Sequence, residues 1–374
     1  MRLLVWSGFY WPYIGGPEVN GVKLFSALRH RGYEVAVVTS HSELDLPDYD
    51  TFEGVPIHRI PLLSTIRNRD PAAFLAARQH AAKLKSSFAP DVIHVNLTDP
   101  SGLFHLLTTA AYPAPFMTVA HSPFKPAGVD DTLRVRMLKE ANWVVAVSKA
   151  VLEDVAALAP EISDRSSVIY NGMKAPALAP TPRPLDPPRL LCLGRIIGAK
   201  GFDVALAALA GLSPRFPEAR LTIAGDGPAL LDLEAQARDL GVADAVDFVG
   251  SVSPNRVPEL MNSATLVVVP SRREGFSLVA VEAALMARPV VASRVGGLAE
   301  IVADGETGLL VSKDDPVALG DAIASLLENT EMADGMGEAA RRRVQERFSF
   351  VQQIDAYDAL YRKLLEEAGR ARNA

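Results

Sequence analysis

Short aliphatic, β-branched runs alternate with longer amphipathic stretches along almost the whole chain, and prolines break the alternation once. This pattern constrains the fold more than any other feature. In the first half the runs are "RLLVWS" (from Arg2), "EVAVVT" (Glu34), "VPIHRI" (Val55), "DVIHVN" (Asp91), "PFMTVAH" (Pro115), "WVVAVS" (Trp143) and "SSVIYN" (Ser167). Most are continuously apolar, as strands covered on both faces must be. Helical patterns separate them, among them "VNGVKLFSALRHRG", which stops at Gly32 as a helix C-terminus should. Strand–helix–strand repetition gives βαβ units and a parallel sheet.

The break is "KAPALAPTPRPLDPPR", Lys174 to Arg189, whose six prolines exclude a helix or a central strand. It reads as a stiff hinge linker over 174–188. The alternation then restarts with "RLLCLG", "RLTIAG", "VDFVG", "TLVVVP", "PVVAS" and "TGLLV". At 374 residues, two domains fit better than one. The reading is therefore two doubly wound α/β domains, 1–173 and 189–348. A final amphipathic helix, 349–374, has no strand after it and is expected to cross back to the first domain.

The net charge of −6 argues against wholesale nucleic-acid binding and leaves room for a local basic patch. A single cysteine, Cys192, lies in an apolar run and reads as a buried hydrophobe with no disulfide or thiolate-metal partner. "MRLLVWSGFYWPYIGG" lacks the cleavage-site pattern of a signal peptide, and no run approaches the ~18 apolar residues of a membrane span. The expected setting is cytoplasmic. "STIRNRD" (Ser64) and "LRVRMLK" (Leu133) carry cations beside apolar residues, and either could touch the inner face of a membrane peripherally.

In open α/β sheets, ligands bind beyond the carboxyl ends of the strands. Four such positions carry chemistry. Arg195 and Lys200 follow the strand "RLLCLG" and suit a diphosphate. After "TLVVVP" comes "SRREGFS", then the helix "LVAVEAALMA". Amides around Gly275, Phe276 and Ser277 approach a helix N-terminus, where an anion is welcome, and Ser277 is a fitting N-cap. Glu274 precedes that tip, where a sugar hydroxyl could meet it. Glu282 lies about 7 Å further along at ~1.5 Å per residue, within reach of a ribose. Gly15 and Gly16 follow the first strand and permit close backbone approach. His121 ends "PFMTVAH" and could donate a hydrogen bond to a sugar hydroxyl. Neither a G-x-G-x-x-G fingerprint nor an H-E-x-x-H or Cys/His cluster is present, so no metal and no cofactor are expected. The "DYD" pair, Asp48 to Asp50, reads as a solvated loop.

Together these pieces resemble the retaining glycosyltransferases of family 4, which have the GT-B fold of two Rossmann-like domains facing a central cleft. The resemblance covers essentially the whole chain. Its most specific part is "PSRREGFSLVAVEAALMARPVVASRVGGLAEIVADGETGLLV", which matches that family's Glu-x7-Glu signature; "GRIIGAKGFD", "AGDGP", "VIYNG", "VAH" and "YWPYIGGPE" support it. The resemblance implies that Arg195 and Lys200 hold the donor diphosphate, Glu274 the transferred sugar and Glu282 the ribose. It implies donor contacts from Gly275, Phe276, Ser277 and Leu278, and approach of Gly15 and Gly16 to the distal phosphate. Val249 to Ser251 would flank the base, and His121 would sit near the reacting centre. The implied partners are a nucleotide-activated sugar and a hydroxyl acceptor in a glycan, a lipid or a small molecule. Three departures stand out: Met173 and Lys174 follow "YNG" in place of an aliphatic residue and aspartate, Ser277 replaces a usual glycine, and Arg288 replaces another. An arginine near a helix C-terminus favours the dipole, so Arg288 carries little weight on this reading.

Competing readings are a glycoside hydrolase using Glu274 and Glu282, a non-catalytic sugar-nucleotide-binding GT-B module, and a sugar-nucleotide epimerase. The hydrolase leaves Arg195 and Lys200 unexplained, and a retaining pair needs carboxyls about 5–5.5 Å apart.

Overall fold

A computed structural model of the chain describes residues 1–13, 15–41, 44–97, 101–123 and 132–373. Two compact units emerge, Met1–Asn171 with Val351–Ala374, and Gly172–Phe350.

The first unit holds strands β1 (Arg2–Trp6), β2 (Glu34–Thr39), β3 (Tyr49–Phe52), β4 (Val55–Arg59), β5 (Val92–Asn96), β6 (Phe116–Ala120), β7 (Trp143–Ala146) and β8 (Ser166–Val168). Their order in the sheet is β3-β4-β2-β1-β5-β6-β7-β8, parallel except for β3 against β4. β1, β5 and β6 are almost wholly buried, which is why their sequences do not alternate.

β3 corrects the loop expected at Asp48–Asp50. Glu53 and Gly54 both take positive φ, 48° and 75°, the combination that closes a two-residue hairpin. Asp50 therefore lies on an edge strand. Its carboxylate accepts from the buried Arg59 guanidinium at 3.3 Å.

The second unit holds β9 (Arg189–Leu193), β10 (Arg220–Ala224), β11 (Val246–Gly250), β12 (Leu266–Val269), β13 (Val290–Ser293) and β14 (Gly308–Val311). Their order is β11-β10-β9-β12-β13-β14, every pair parallel. One apolar cluster joins β9, β10 and β12 to the helices Phe202–Leu212 and Pro316–Glu328, and Cys192 sits in it with no exposure. Burial pushes that thiol well above the usual range, as expected of a packing residue.

The proline-rich stretch differs from the expected linker. It belongs to the second unit and is tied there by two buried arginines. Arg183 donates to Asp334 at 2.6 Å and to the carbonyls of Thr265 and Thr330. Arg288, 1 % exposed, donates to the carbonyls of Met261, Thr181 and Asn262. Proline removes backbone donors, so the stretch cannot join a sheet, but its neighbours' carbonyls still need partners, and the two guanidiniums supply them. Arg288 is thus a clamp in the interior and not a dipole-facing surface residue. Arg183→Ala should destabilise the second unit by about 3 kcal/mol, because it strands buried carbonyls. Urea unfolding would show this as a lower midpoint, and an unchanged midpoint would contradict the clamp.

Helix Phe350–Asn373 returns the chain to the first unit. Ile354, Tyr357, Tyr361 and Leu364 recur at helical spacing and are buried. Asp355 pairs with Arg31 at 2.6 Å, the Tyr33 hydroxyl donates to Asp358, and the Lys363 ammonium lies 3.6 Å from the Trp143 ring centroid. Among the described residues no helix is long and apolar enough to cross a membrane. In helix Thr132–Glu140 the basic side chains of Arg136 and Lys139 are already paired, with Glu140 and Glu161.

Candidate active site

The order of the second sheet reverses between β9 and β12. Such a switch point leaves a crevice at the strands' carboxyl ends, because the following helices depart to opposite faces. The loops after these two strands carry Arg195, Lys200 and Glu274. Lys200 donates to both carboxylate oxygens of Glu274, at 3.1 and 2.9 Å. Glu274 is only 8 % exposed, while Lys200 remains partly open to solvent. Arg195 is exposed, and no ion pair to it is seen among the described residues.

Ser277 caps helix Leu278–Leu285, its hydroxyl accepting from the Ala280 amide at 3.3 Å. The expected cap is therefore present, and the helix begins at Leu278, slightly later than the amides of Gly275 and Phe276. Both of those residues are buried, and Phe276 packs edge-on against Phe348 at 5.6 Å. Glu282, half-buried, lies four residues into the helix. Val249 lies in β11 and Ser251 just after it, β11 being the edge strand two places from β9.

Arg272 is the residue that sequence reasoning missed. It donates to both oxygens of Asp203, at 2.7 and 2.6 Å, to Asp314 at 2.5 Å and to the Gly198 carbonyl at 2.7 Å. Its own amide donates to the Ala199 carbonyl. One side chain thereby fixes the loop bearing Lys200 to the loop bearing Glu274. The Asp203 hydrogen bonds hold the guanidinium charged well beyond any working pH, and the same bonds lower the Asp203 carboxyl. A signal existed, since two arginines directly precede Glu274, but spacing could not tell which of them turns inward.

In the first unit Gly15 caps helix Gly16–His30 in extended conformation, and its carbonyl accepts from Val19 at 2.9 Å. This helix tip follows β1. His121 follows β6, and Asn96 ends β5 beside it. His121 Nε2 lies 3.0 Å from Asn96 Oδ1, and the Asn96 amide nitrogen donates to Ser7 Oγ at 3.0 Å. Burial lowers the His121 pKa to about 4, so the ring is neutral at physiological pH.

Comparison with known proteins decides the family. The second half, residues 176–343, matches the family described as glycosyl transferases group 1, and residues 14–175 match glycosyltransferase family 4. Glycogen synthase of Mycobacterium tuberculosis is 31 % identical across 94 % of this chain and 92 % of its own length. The chain belongs to the family 4 glycosyltransferases.

A D-inositol 3-phosphate glycosyltransferase of Acidothermus cellulolyticus is also 31 % identical, over 94 % of this glycosyltransferase and 86 % of its own length. Among solved structures, sucrose-phosphate synthase of Thermosynechococcus elongatus superposes with a TM-score of 0.83 at 24 % identity, covering 98 % of this chain and 99 % of the other. HepE of Anabaena, solved with UDP-glucose, gives 0.80 at 21 %, covering 99 % and 100 %. The fold class of this glycosyltransferase is GT-B, with two Rossmann-like domains.

Proposed function

We propose that this glycosyltransferase is retaining and metal-independent, and that it moves a hexosyl group from a UDP- or GDP-sugar to an acceptor hydroxyl. The observation that carries the reading is the Lys200–Glu274 pair at the switch point of the second sheet, beside a capped helix tip. In the reaction the bond from the anomeric carbon to the phosphate oxygen breaks, leaving at least two negative charges on the nucleoside diphosphate. A new bond forms between that carbon and the acceptor oxygen, and the acceptor proton passes to the departing phosphate.

The charge that develops is negative, and the groups offered to it are positive: Lys200, Arg195 and the amides ahead of helix Leu278–Leu285. Held in place beforehand, they favour the transition state over the substrate. Arg272 holds the two loops still, which keeps Lys200 in register with Glu274. Glu274, buried and acceptor-only when ionised, suits a sugar hydroxyl that donates. Same-face attack with the leaving phosphate as base needs no enzymic nucleophile. A hydrolase reading fits less well, because both Glu274 oxygens are engaged by Lys200. Relatives named glycogen synthase and D-inositol 3-phosphate glycosyltransferase put polyhydroxyl acceptors first among those to try.

Radiolabelled UDP-glucose, UDP-N-acetylglucosamine and GDP-mannose, offered with chelator and an acceptor panel, test the reading. Transfer should persist in chelator, and the product should keep the donor's anomeric configuration. Loss of transfer on chelation would overturn metal independence, and an inverted product would overturn retention. Binding without turnover would point to a sugar-nucleotide-binding module.

A further inference from the structure

Beside β1, β5 and β6 a buried chain of hydrogen bonds runs from the C-terminal helix to His121, and its polarity can be worked out atom by atom. Ser7 Oγ donates to the Phe9 carbonyl at 2.7 Å, so it accepts from the Asn96 amide nitrogen. That fixes Asn96 Oδ1 toward the two imidazoles, His121 Nε2 at 3.0 Å and His94 Nε2 at 3.2 Å. A carbonyl oxygen only accepts, so both Nε2 atoms carry the hydrogen. His94 Nδ1 is then bare and accepts from the Tyr361 hydroxyl at 2.7 Å. His121 Nδ1 is bare too, shielded from solvent and without a partner among the described residues.

Among the described residues, the groups facing this chain of rings carry no charge: Tyr357 and Tyr361 from helix Phe350–Asn373, Phe25 from helix Gly16–His30, Asn96 and Ser7. Burial lowers the imidazole of His94 to about 3 and that of His121 to about 4, so neither adds a second proton at neutral pH. This reverses the polarity expected from the sequence, in which His121 donates.

We propose that Tyr361 and His94, acting through Asn96, are positioning residues that lock His121 in the Nε2–H tautomer, so that Nδ1 accepts a hydrogen bond from a substrate hydroxyl. The proposal rests on the function proposed above and on His121 meeting substrate there, as the sequence leads us to expect. The C-terminal helix thereby does more than pack: the Tyr361 hydroxyl fills the bare His94 Nδ1 and holds, from its end, the direction that Ser7 sets from the other. Were that hydroxyl absent, His94 could carry its hydrogen on Nδ1 and turn a bare Nε2 toward the Asn96 oxygen, which would repel it. Relief would come from an amide flip, and the flipped amide would demand a bare Nε2 on His121.

Long-range 1H–15N spectra of the full-length protein, labelled at histidine, read this directly. With seven histidines in the chain, His94→Gln and His121→Asn suffice to assign both rings. The expected wild-type result at neutral pH is a hydrogen on Nε2 and a bare Nδ1 in both. A hydrogen on His121 Nδ1 overturns the proposal. Tyr361→Phe should mix the tautomers of His94 and His121 and lower kcat about tenfold, with KM for the donor within about twofold, as when a partner that fixes a ring's tautomer is removed. Ser7→Ala, which frees the Asn96 amide, should mix the His121 tautomer without touching the C-terminal helix, and it serves if Tyr361→Phe does not fold. Wild-type tautomers retained in either folded variant overturn the relay. If wild type consumes none of the three sugar nucleotides, the proposed function fails, whereas the tautomer is still decided by the spectrum.

Discussion

Lys200→Ala is expected to lower kcat by about two to three orders of magnitude, the effect of removing one preorganised donor from a developing anion. Lys200 reaches both oxygens of Glu274 and still has its side chain partly open to solvent, so it can take on a phosphate without leaving the carboxylate. Its loss removes the positive charge and also leaves a nearly buried carboxylate without its partner. These effects can be separated. Glu274→Gln keeps the shape and discards the charge, and combined with Lys200→Ala it leaves no unpaired anion. If the pair acts as a unit, the double variant loses less than the sum of the singles. Single-turnover rates with the consumed sugar nucleotide, alongside thermal unfolding of each variant, make the test. Undiminished turnover in folded Lys200→Ala would remove the basis for assigning the site to this crevice.

The thirteen strands read from apolar runs are all present, because a strand covered on both faces has little freedom in composition. β3 was illegible for the opposite reason: "YDTF" is a half-exposed edge strand, and only the paired positive φ at Glu53 and Gly54 discloses its hairpin. Lys200, Glu274 and the Ser277 cap could be read because position after a strand implies position at a sheet's carboxyl end. Arg272 and Arg288 could not. Each is an arginine among others, and what distinguishes it is a set of partners far away in sequence, Asp203 and Asp314 for one, Thr181 and Met261 for the other. His94 and Asn96 left a trace, two polar residues on the same face of an otherwise apolar strand, but the direction of their hydrogen bonds depends on Ser7 and Tyr361, which no local pattern connects.

Gly296→Ala should be a severely damaging single-methyl change in the second unit. Gly296 adopts φ +44°, and a Cβ built there would come closer to the Glu274 carbonyl oxygen than real Cβ atoms approach any such atom. The same carbonyl accepts from the Gly297 amide at 3.2 Å, and a Cβ on Gly297 would meet the Gly275 carbonyl. The turn after β13 is thus laid directly on the backbone of the loop that carries Glu274, with no room for a side chain between them. Alanine at 296 must either push that loop away or break the turn. Left-handed strain and the lost hydrogen bond together should cost about 3 kcal/mol, seen as a lower urea midpoint. Displacing Glu274 by as little as an ångström should also cost about a hundredfold in turnover, since misplacement of that size removes the benefit of positioning. Gly335→Ala supplies the control. It lies inside helix Thr330–Arg347 with nothing near its missing Cβ, and there the same methyl should stabilise by about 0.5–1 kcal/mol with turnover unaffected. Opposite signs in stability, with turnover lost only at 296, would tie Glu274's position to this backbone contact; full activity in a folded Gly296→Ala protein would break that tie.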